Sequence, residues 1–518
     1  MIQIDGNSLT INEIHKVSVD QEKVSLSTDI IQKIQESRRW VEEIVTQGKP
    51  VYAINTGYGI FADKQISADE IRLLNRNLIL SHAVGTGAPL PTEVVRAAIL
   101  IRANTLAKGF SGVRLILIET LLEMLNKGVN PVIPSQGSLG SSGDLAPLSH
   151  LGLVVTTDDQ DLENFSGFAE YQGANLTGKQ AMKQAGIPRI ILEAKEGIAL
   201  NNGATFSAAI AALACFEAEK LLEVSDIALS MSLEALLGTS AAFDPRIHKS
   251  RQHPGQIATA EQVLRLTRES TLLDSTDRVQ DAYSLRCGPQ VHGPAKETLE
   301  FTKNVISREI NAATDNPLLF AEGEAISGGN FHGEPVGMVM DYLGIAMTEI
   351  AGISERRVYR LTDGRLNENL PAMLVDNRQD EGLNSGMMMP QYTAASLVLE
   401  NRSLATPDSI NSLPTSAAQE DHNANAMTAA RHTYQIIENT RHVLAIELYT
   451  ATRALDLRLR ELSNKNPGIG TKAAHQSIRK VVPYQPGDTL WGPEIDRVRD
   501  MILNNQLIED VRSALDTG

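Results

Sequence analysis

The sequence predicts a mainly α-helical protein. A loop-rich N-terminal domain, residues 1–203, should carry one unusual Gly/Ser loop, and a large bundle of long helices with a C-terminal extension should follow over 204–518. Three observations predict this. Residues 204–237 and 427–462 contain neither Gly nor Pro and are rich in strong helix formers such as Ala, Leu and Glu. Within the second run, Ile436, Val443, Leu444 and Leu448 recur near helical spacing. Aromatic residues make up only 4% of the chain and alternating apolar–polar patterns are scarce, which leaves little from which to build sheets.

Taken in order, residues 1–203 read as short segments divided by Gly- and Pro-bearing loops at 55–59, 85–91, 131–147 and 158–173. A boundary falls near residue 203, where Asn202-Gly203 precedes the first long helix. If continuous, each long run reaches roughly 50 Å at the helical rise per residue. Further helical runs are expected at about 293–313, 334–362 and 390–404. Residues 467–493 hold several Pro and Gly residues and read as an exposed connection before a short terminal helix.

Composition narrows the function classes. With 518 residues, 42% of them hydrophobic, the chain can bury a large core in two or three structural units. Its formal net charge of -16 argues against nucleic-acid and acidic-membrane partners while leaving a small zwitterionic substrate open. Cys215 and Cys287 are the only cysteines, which excludes a disulfide scaffold and fits a reducing compartment. The segment Met1-Ile2-Gln3-Ile4-Asp5 lacks the basic and apolar parts of a signal peptide, and no stretch is long and apolar enough to span a bilayer without charges. A cytoplasmic location is expected. No metal site is expected either, because the histidines are scattered and no HExxH or CxxC spacing occurs.

The loop Gly137-Ser138-Leu139-Gly140-Ser141-Ser142-Gly143-Asp144-Leu145-Ala146-Pro147-Leu148 carries the most chemistry. An amide nitrogen is a poor nucleophile, but Gly143 has no Cβ, so its nitrogen can approach the Ser141 carbonyl carbon in a tight turn. Closure with loss of water gives a five-membered imidazolone. Loss of a second water across Cα–Cβ of Ser142 leaves an exocyclic methylidene, an electrophile. An isolated Ser-Ser-Gly is most simply a flexible loop, so the surrounding residues decide.

Polar islands interrupt the apolar helical sequence elsewhere. They are Tyr52-Ala53-Ile54-Asn55-Thr56-Gly57-Tyr58-Gly59, Ser81-His82, Gln280-Asp281-Ala282-Tyr283-Ser284-Leu285-Arg286-Cys287, Gly328-Gly329-Asn330-Phe331-His332-Gly333-Glu334-Pro335 and Gln419-Glu420-Asp421-His422. Each has an ordinary structural explanation when taken alone. Gln419-Glu420-Asp421, for example, suits a helix N-terminus.

Together and in order, these segments resemble the aromatic amino acid ammonia-lyase family over nearly the whole chain. The matching stretches are 52–59, 137–148, 280–287, 328–335, Ser354-Glu355-Arg356-Arg357 and 413–422. The resemblance implies a methylidene-imidazolone prosthetic group formed autocatalytically from Ser141-Ser142-Gly143, no external cofactor, and a homotetramer whose active sites draw residues from several subunits. It implies Tyr52 as the base for the substrate β-proton, Tyr283 lining the site, Asn202 and Gln280 orienting substrate or ring, Arg286 holding the carboxylate, and Phe331 packing beside them. Ser81-His82, with Gln419 and Glu420, matches the histidine-specific members, so L-histidine is the expected substrate and trans-urocanate and ammonia the products. A carboxylate such as Glu420 can accept from an imidazole N–H, which phenylalanine lacks. Two departures stand out: Ser141 replaces the usual alanine, and Asn201 replaces an apolar residue beside Asn202. An aminomutase of the same family, or a silent helical scaffold in which Ser141 blocks ring formation, remain alternatives at this point.

Overall fold

In the computed structural model, which describes residues 1–517, the Gly/Pro-free runs form continuous helices, Thr205–Ala235 and Ala426–Glu461. The runs expected at 334–362 and 390–404 are the helices Glu334–Thr362 and Met388–Leu404. The run expected at 293–313 begins earlier, as Gly288–Glu309. Pro289 sits in its first turn, where a missing N–H breaks no intrahelical bond, and Pro294 is accommodated inside the helix. Strands are short, with none longer than four residues among the described residues.

One sequence expectation is corrected. Residues 467–493 are not merely an exposed connection, because they contain the helix Ile469–Val481 and the start of Trp491–Leu503. The glycines and prolines mark helix ends: Gly468 is the N-cap of the first helix, and Gly492-Pro493 lie in the first turn of the second. A third helix, Gln506–Thr517, completes the C-terminus.

By contacts the chain divides into two compact units, which follow the sequence less simply than a single boundary near residue 203. The first comprises Met1–Phe216, Thr302–Asp341 and Pro407–Arg431, and the second Glu217–Phe301, Tyr342–Thr406 and His432–Gly518. The long helices contribute residues to both, so chain order and spatial grouping part company.

The first unit is built around the helix Thr92–Ala107, buried along nearly all its length. Even its arginines are enclosed: Arg96 donates to the carbonyls of Val17, Ser18 and Leu125, and Arg102 to the Ala199 carbonyl and the Thr205 hydroxyl. Thr86–Pro89 pairs antiparallel with Pro134–Gln136, which delivers the chain to the Gly/Ser loop. In the second unit, the fully buried Glu447 accepts from Ser232, Ser354 and both Nε and Nη2 of Arg357, joining three long helices through one satisfied carboxylate.

Glu334–Thr362 is long and apolar enough to cross a membrane by length and composition, with mean hydropathy 1.4 over its best window. That window is 67% buried within the chain, and the helix carries Asp341 and Glu349, so it is a core helix. Cys215 is buried and Cys287 half-buried, and the two are not joined in a disulfide.

Candidate active site

Ser141, Ser142 and Gly143 lie just before the helix Leu145–Val155, in a loop held from both sides by backbone bonds. Gly203 N–H donates to the Ser142 carbonyl at 3.0 Å, and Asp144 N–H donates to the Gly203 carbonyl at 2.9 Å. Asn202 Nδ2 donates to the same Ser142 carbonyl at 2.7 Å. Gly143 has φ +81° and its α-carbon faces the Gly203 backbone, leaving no space for a side chain. On the other side, Gly333 N–H bonds the Gly140 carbonyl and Asn425 N–H the Leu139 carbonyl.

Asp144 anchors this arrangement. It is fully buried, its Oδ1 accepting from the hydroxyls of Ser138 and Ser207 and its Oδ2 from Ser207 N–H. The last bond satisfies an open donor at the N-terminus of Thr205–Ala235. Burial pushes the Asp144 carboxyl up, and the hydrogen bonds from Ser207 and Ser138 oppose that rise.

Asn202 follows the short helix Glu196–Asn201. Gly197 N–H of that helix donates to Asn75 Oδ1 in the helix Ile71–His82, at 2.7 Å. One contact thus relates Asn202 to His82, which ends the latter helix. Gly85 N–H bonds His150 Nε2, tying the turn after His82 to the helix that follows the loop. Burial lowers the His82 pKa, which favours the neutral ring, with the hydrogen bond to the Leu78 backbone and the charge of Glu420 opposing it. Asn201 also acquires a partner: its Nδ2 donates to Ser149 Oγ at 3.2 Å.

Glu420 closes the other side. Its Oε1 accepts from Ser142 Oγ at 2.6 Å, and its Oε2 accepts from Ser141 Oγ at 2.9 Å and Thr415 Oγ1 at 3.3 Å. The backbones of Thr415 and Glu420 are bonded to each other across a turn in which Ser416, Ala417 and Ala418 have φ of 51°, 52° and 65°. Left-handed backbone in three successive non-glycine residues is strained, and such strain collects at functional sites. Gln419 is in the same turn and solvent-exposed.

Tyr52 is half-buried, and its hydroxyl accepts from Gly59 N–H at 3.4 Å. The Gly59–Phe61 turn packs on Ser416–Ala418, bringing the Tyr52 loop against the Glu420 turn. Tyr58 packs with Tyr52 beside Ala53, Leu78 and Ile198, its hydroxyl buried without a partner and held protonated by burial. Phe331 is half-buried, two residues before the Gly333 that bonds the loop.

The second unit carries Gln280, Tyr283 and Arg286. Asp281 pins their segment by accepting from Thr239 N–H and Arg278. Gln280 is exposed, Tyr283 is 70% exposed, and the Arg286 guanidinium lies 4.7 Å from the Tyr283 ring centroid. The first unit therefore gathers Ser141, Ser142, Gly143, Asn202, His82, Glu420, Gln419, Tyr52 and Phe331, whereas these three belong to the other unit. Sequence reasoning missed Asp144, Gly203 and Thr415. Asp144 and Thr415 stand in the matching stretches themselves and Gly203 next to Asn202, but only folding reveals that Asp144 and Gly203 face each other.

A family model described as aromatic amino acid lyase matches residues 9–480. The histidine ammonia-lyase of Caldanaerobacter subterraneus subsp. tengcongensis is 49% identical over 98% of this chain and 97% of its own length. Among solved structures, histidine ammonia-lyase from Trypanosoma cruzi aligns with TM-score 0.90 at 36% identity, covering 99% of this chain and 95% of that one. Tyrosine aminomutase from Streptomyces globisporus aligns with TM-score 0.92 at 32% identity, covering 99% and 98%.

Proposed function

The chain belongs to the aromatic amino acid lyase family, and from that premise we propose that it is a carbon–nitrogen lyase removing ammonia from L-histidine to give trans-urocanate, the first step of histidine degradation. The observation that carries the substrate is Glu420, a carboxylate at hydrogen-bond distance from the reactive loop and electrostatically coupled to His82. It would accept from the imidazole N–H of histidine and be left unpaired by phenylalanine.

Ser141-Ser142-Gly143 fits a methylidene-imidazolone. Formation joins Gly143 N to the Ser141 carbonyl carbon, expelling that carbonyl oxygen as water, and then removes the Ser142 hydroxyl with its α-hydrogen as a second water. Gly143 suits this because its backbone is left-handed and it has no side chain to hold it off Gly203. Once formed, the group would supply an electron-poor methylidene for covalent attachment of the substrate amine. Asn202 Nδ2 and Gly203 N–H both donate to the Ser142 carbonyl oxygen, where they would stabilise negative charge. Tyr52 Oη removes the β-proton. The Asn202 Oδ1 atom, buried without a partner in the chain, is available to orient the amine, while Phe331 packs beside the substrate and Gln419 borders it.

Arg286 binds the substrate carboxylate through its forked guanidinium, with Gln280 and Tyr283 beside it. The exposure of Gln280 and Tyr283 supports a homotetramer in which this segment completes the active site of a neighbouring chain. A cytoplasmic setting suits an enzyme whose two cysteines are not joined in a disulfide.

Incubating the purified protein with L-histidine, L-phenylalanine and L-tyrosine tests the reading. Urocanate should accumulate, seen by its ultraviolet absorbance, and histidine should be the fastest substrate. A β-amino acid product would indicate an aminomutase instead, and faster turnover of phenylalanine or tyrosine would refute the substrate.

A further inference from the structure

We propose that the hydroxyl of Ser141 is a positioning group that locks one oxygen of Glu420, so that the other oxygen is presented to the imidazole of the substrate. This rests on the histidine-lyase reading above. Before ring formation the two carboxylate oxygens are differently occupied. Among the described residues Oε1 accepts only from Ser142 Oγ, at 2.6 Å, whereas Oε2 accepts from Ser141 Oγ at 2.9 Å and lies 3.3 Å from Thr415 Oγ1, whose one proton is shared with the Glu420 carbonyl at 3.4 Å.

Ring formation changes just one of these contacts. The Ser142 hydroxyl leaves as water, so Oε1 loses its donor. Ser141 contributes only its backbone carbonyl to the ring and keeps its hydroxyl. Oε2 therefore retains both donors, and the oxygen vacated by Ser142 Oγ is the one left to accept from the substrate. The side chain is well placed for such a role: Ser141 is 7% exposed, so its hydroxyl has little access to water, and Glu420 is its hydrogen-bond acceptor.

An alanine at position 141 would leave Oε2 with the longer Thr415 contact alone. The carboxylate would then be freer to rotate, and each imidazole bound would have to order it. Loss of one hydrogen bond to a charged group typically weakens binding roughly ten- to hundredfold. The effect should be confined to ligands that bond Glu420, which a general structural role would not predict.

The test compares mature wild type, Ser141→Ala and Ser141→Thr. Intact mass first reports whether each chain has lost two waters. Calorimetric titration then measures the dissociation constants of 3-(imidazol-4-yl)propanoate, which keeps the imidazole and cannot react, and of 3-phenylpropanoate, which lacks the N–H. We expect full water loss in all three chains. Ser141→Ala should bind the imidazole ligand roughly ten- to hundredfold more weakly with phenylpropanoate unchanged, and Ser141→Thr should restore most of the loss. Equal imidazole affinity in wild type and Ser141→Ala would overturn the proposal, as would equal weakening of both ligands. Retention of the two waters in Ser141→Ala would also overturn it, by assigning the hydroxyl to maturation. Turnover of L-histidine by wild type stands apart: its absence refutes the lyase reading, whereas its presence with an unaltered Ser141→Ala titration refutes only the positioning role.

Discussion

Gly143 and Gly203 face each other through a single backbone bridge, and neither position has room for a Cβ. Both lie in the left-handed range, with φ of +81° and +114°. The loop that would cyclise is thus seated on a second glycine in the short connection between Glu196–Asn201 and Thr205–Ala235. Gly143→Ala should strain the backbone by about 1–3 kcal/mol before the clash is counted. The expected result is a chain that retains the mass of both waters, has no lyase activity and melts several degrees lower. Intact-protein mass and thermal unfolding on the same sample would check it.

Asn202 offers a more selective test, because its contact with the Ser142 carbonyl is made by a side chain. Asn202→Ala leaves the Gly203 N–H in place and removes one donor of two. Loss of one such donor lowers kcat by about 10²- to 10³-fold in comparable oxyanion sites. The prediction is a fall of that size in the initial rate of urocanate formation at saturating histidine. A change below tenfold in a fully matured Asn202→Ala chain would argue against this role.

Glu420→Gln preserves shape and removes charge. Because the carboxylate is expected to accept from the imidazole, histidine turnover should fall at least a hundredfold, while the two waters are still lost. Normal mass with weak turnover would separate substrate recognition from maturation. Near-normal turnover would refute the role.

The long helices are legible because their runs lack Gly and Pro, and 204–237 and 427–462 are matched within two residues at each end by Thr205–Ala235 and Ala426–Glu461. The tail departs from its expected form for a reason that is also local: Gly468 and Gly492-Pro493 serve as helix starts, and composition does not distinguish a helix start from a linker. At the site, the motifs name the reactive residues but not their partners. Nothing in the sequence announces that Ser416, Ala417 and Ala418 adopt left-handed backbone, since alanine carries no signature for it. Nor does it reveal that Ser141 and Ser142 share one carboxylate 278 residues away from Ser142.

Tyr52 and Tyr58 form a matched pair for a control experiment. Both pack on Ala53, Leu78 and Ile198, but the Tyr52 hydroxyl accepts from a backbone N–H, while the Tyr58 hydroxyl is buried without a partner. Tyr52→Phe should lower kcat by about 10²- to 10⁴-fold, the range for loss of a general base. Tyr58→Phe removes an unsatisfied hydroxyl, so it should keep turnover within about threefold and raise stability by roughly 1 kcal/mol. Parallel rate measurements and urea unfolding of the two variants would decide.

Glu234 gives a pH prediction remote from the chemistry. It is fully buried, and its Oε1 accepts from Gly468 N–H at the start of Ile469–Val481. Burial raises its pKa from 4.5 to about 7, the bonds from Ser270, Thr471 and Gly468 only partly opposing the rise. A carboxyl whose pKa is higher folded than unfolded binds its proton more tightly in the native state. Its contribution to stability is therefore complete below about pH 4.5 and is lost as pH rises through 7. The loss is on the order of 3 kcal/mol at most, since each tenfold change in proton affinity is worth about 1.4 kcal/mol. Glu234→Gln keeps an acceptor for Gly468 and cannot ionise, so its unfolding free energy should change less between pH 5 and 8 than that of wild type. Urea titrations at those two pH values measure the difference, and the same pH dependence in both chains would exclude Glu234 as its source.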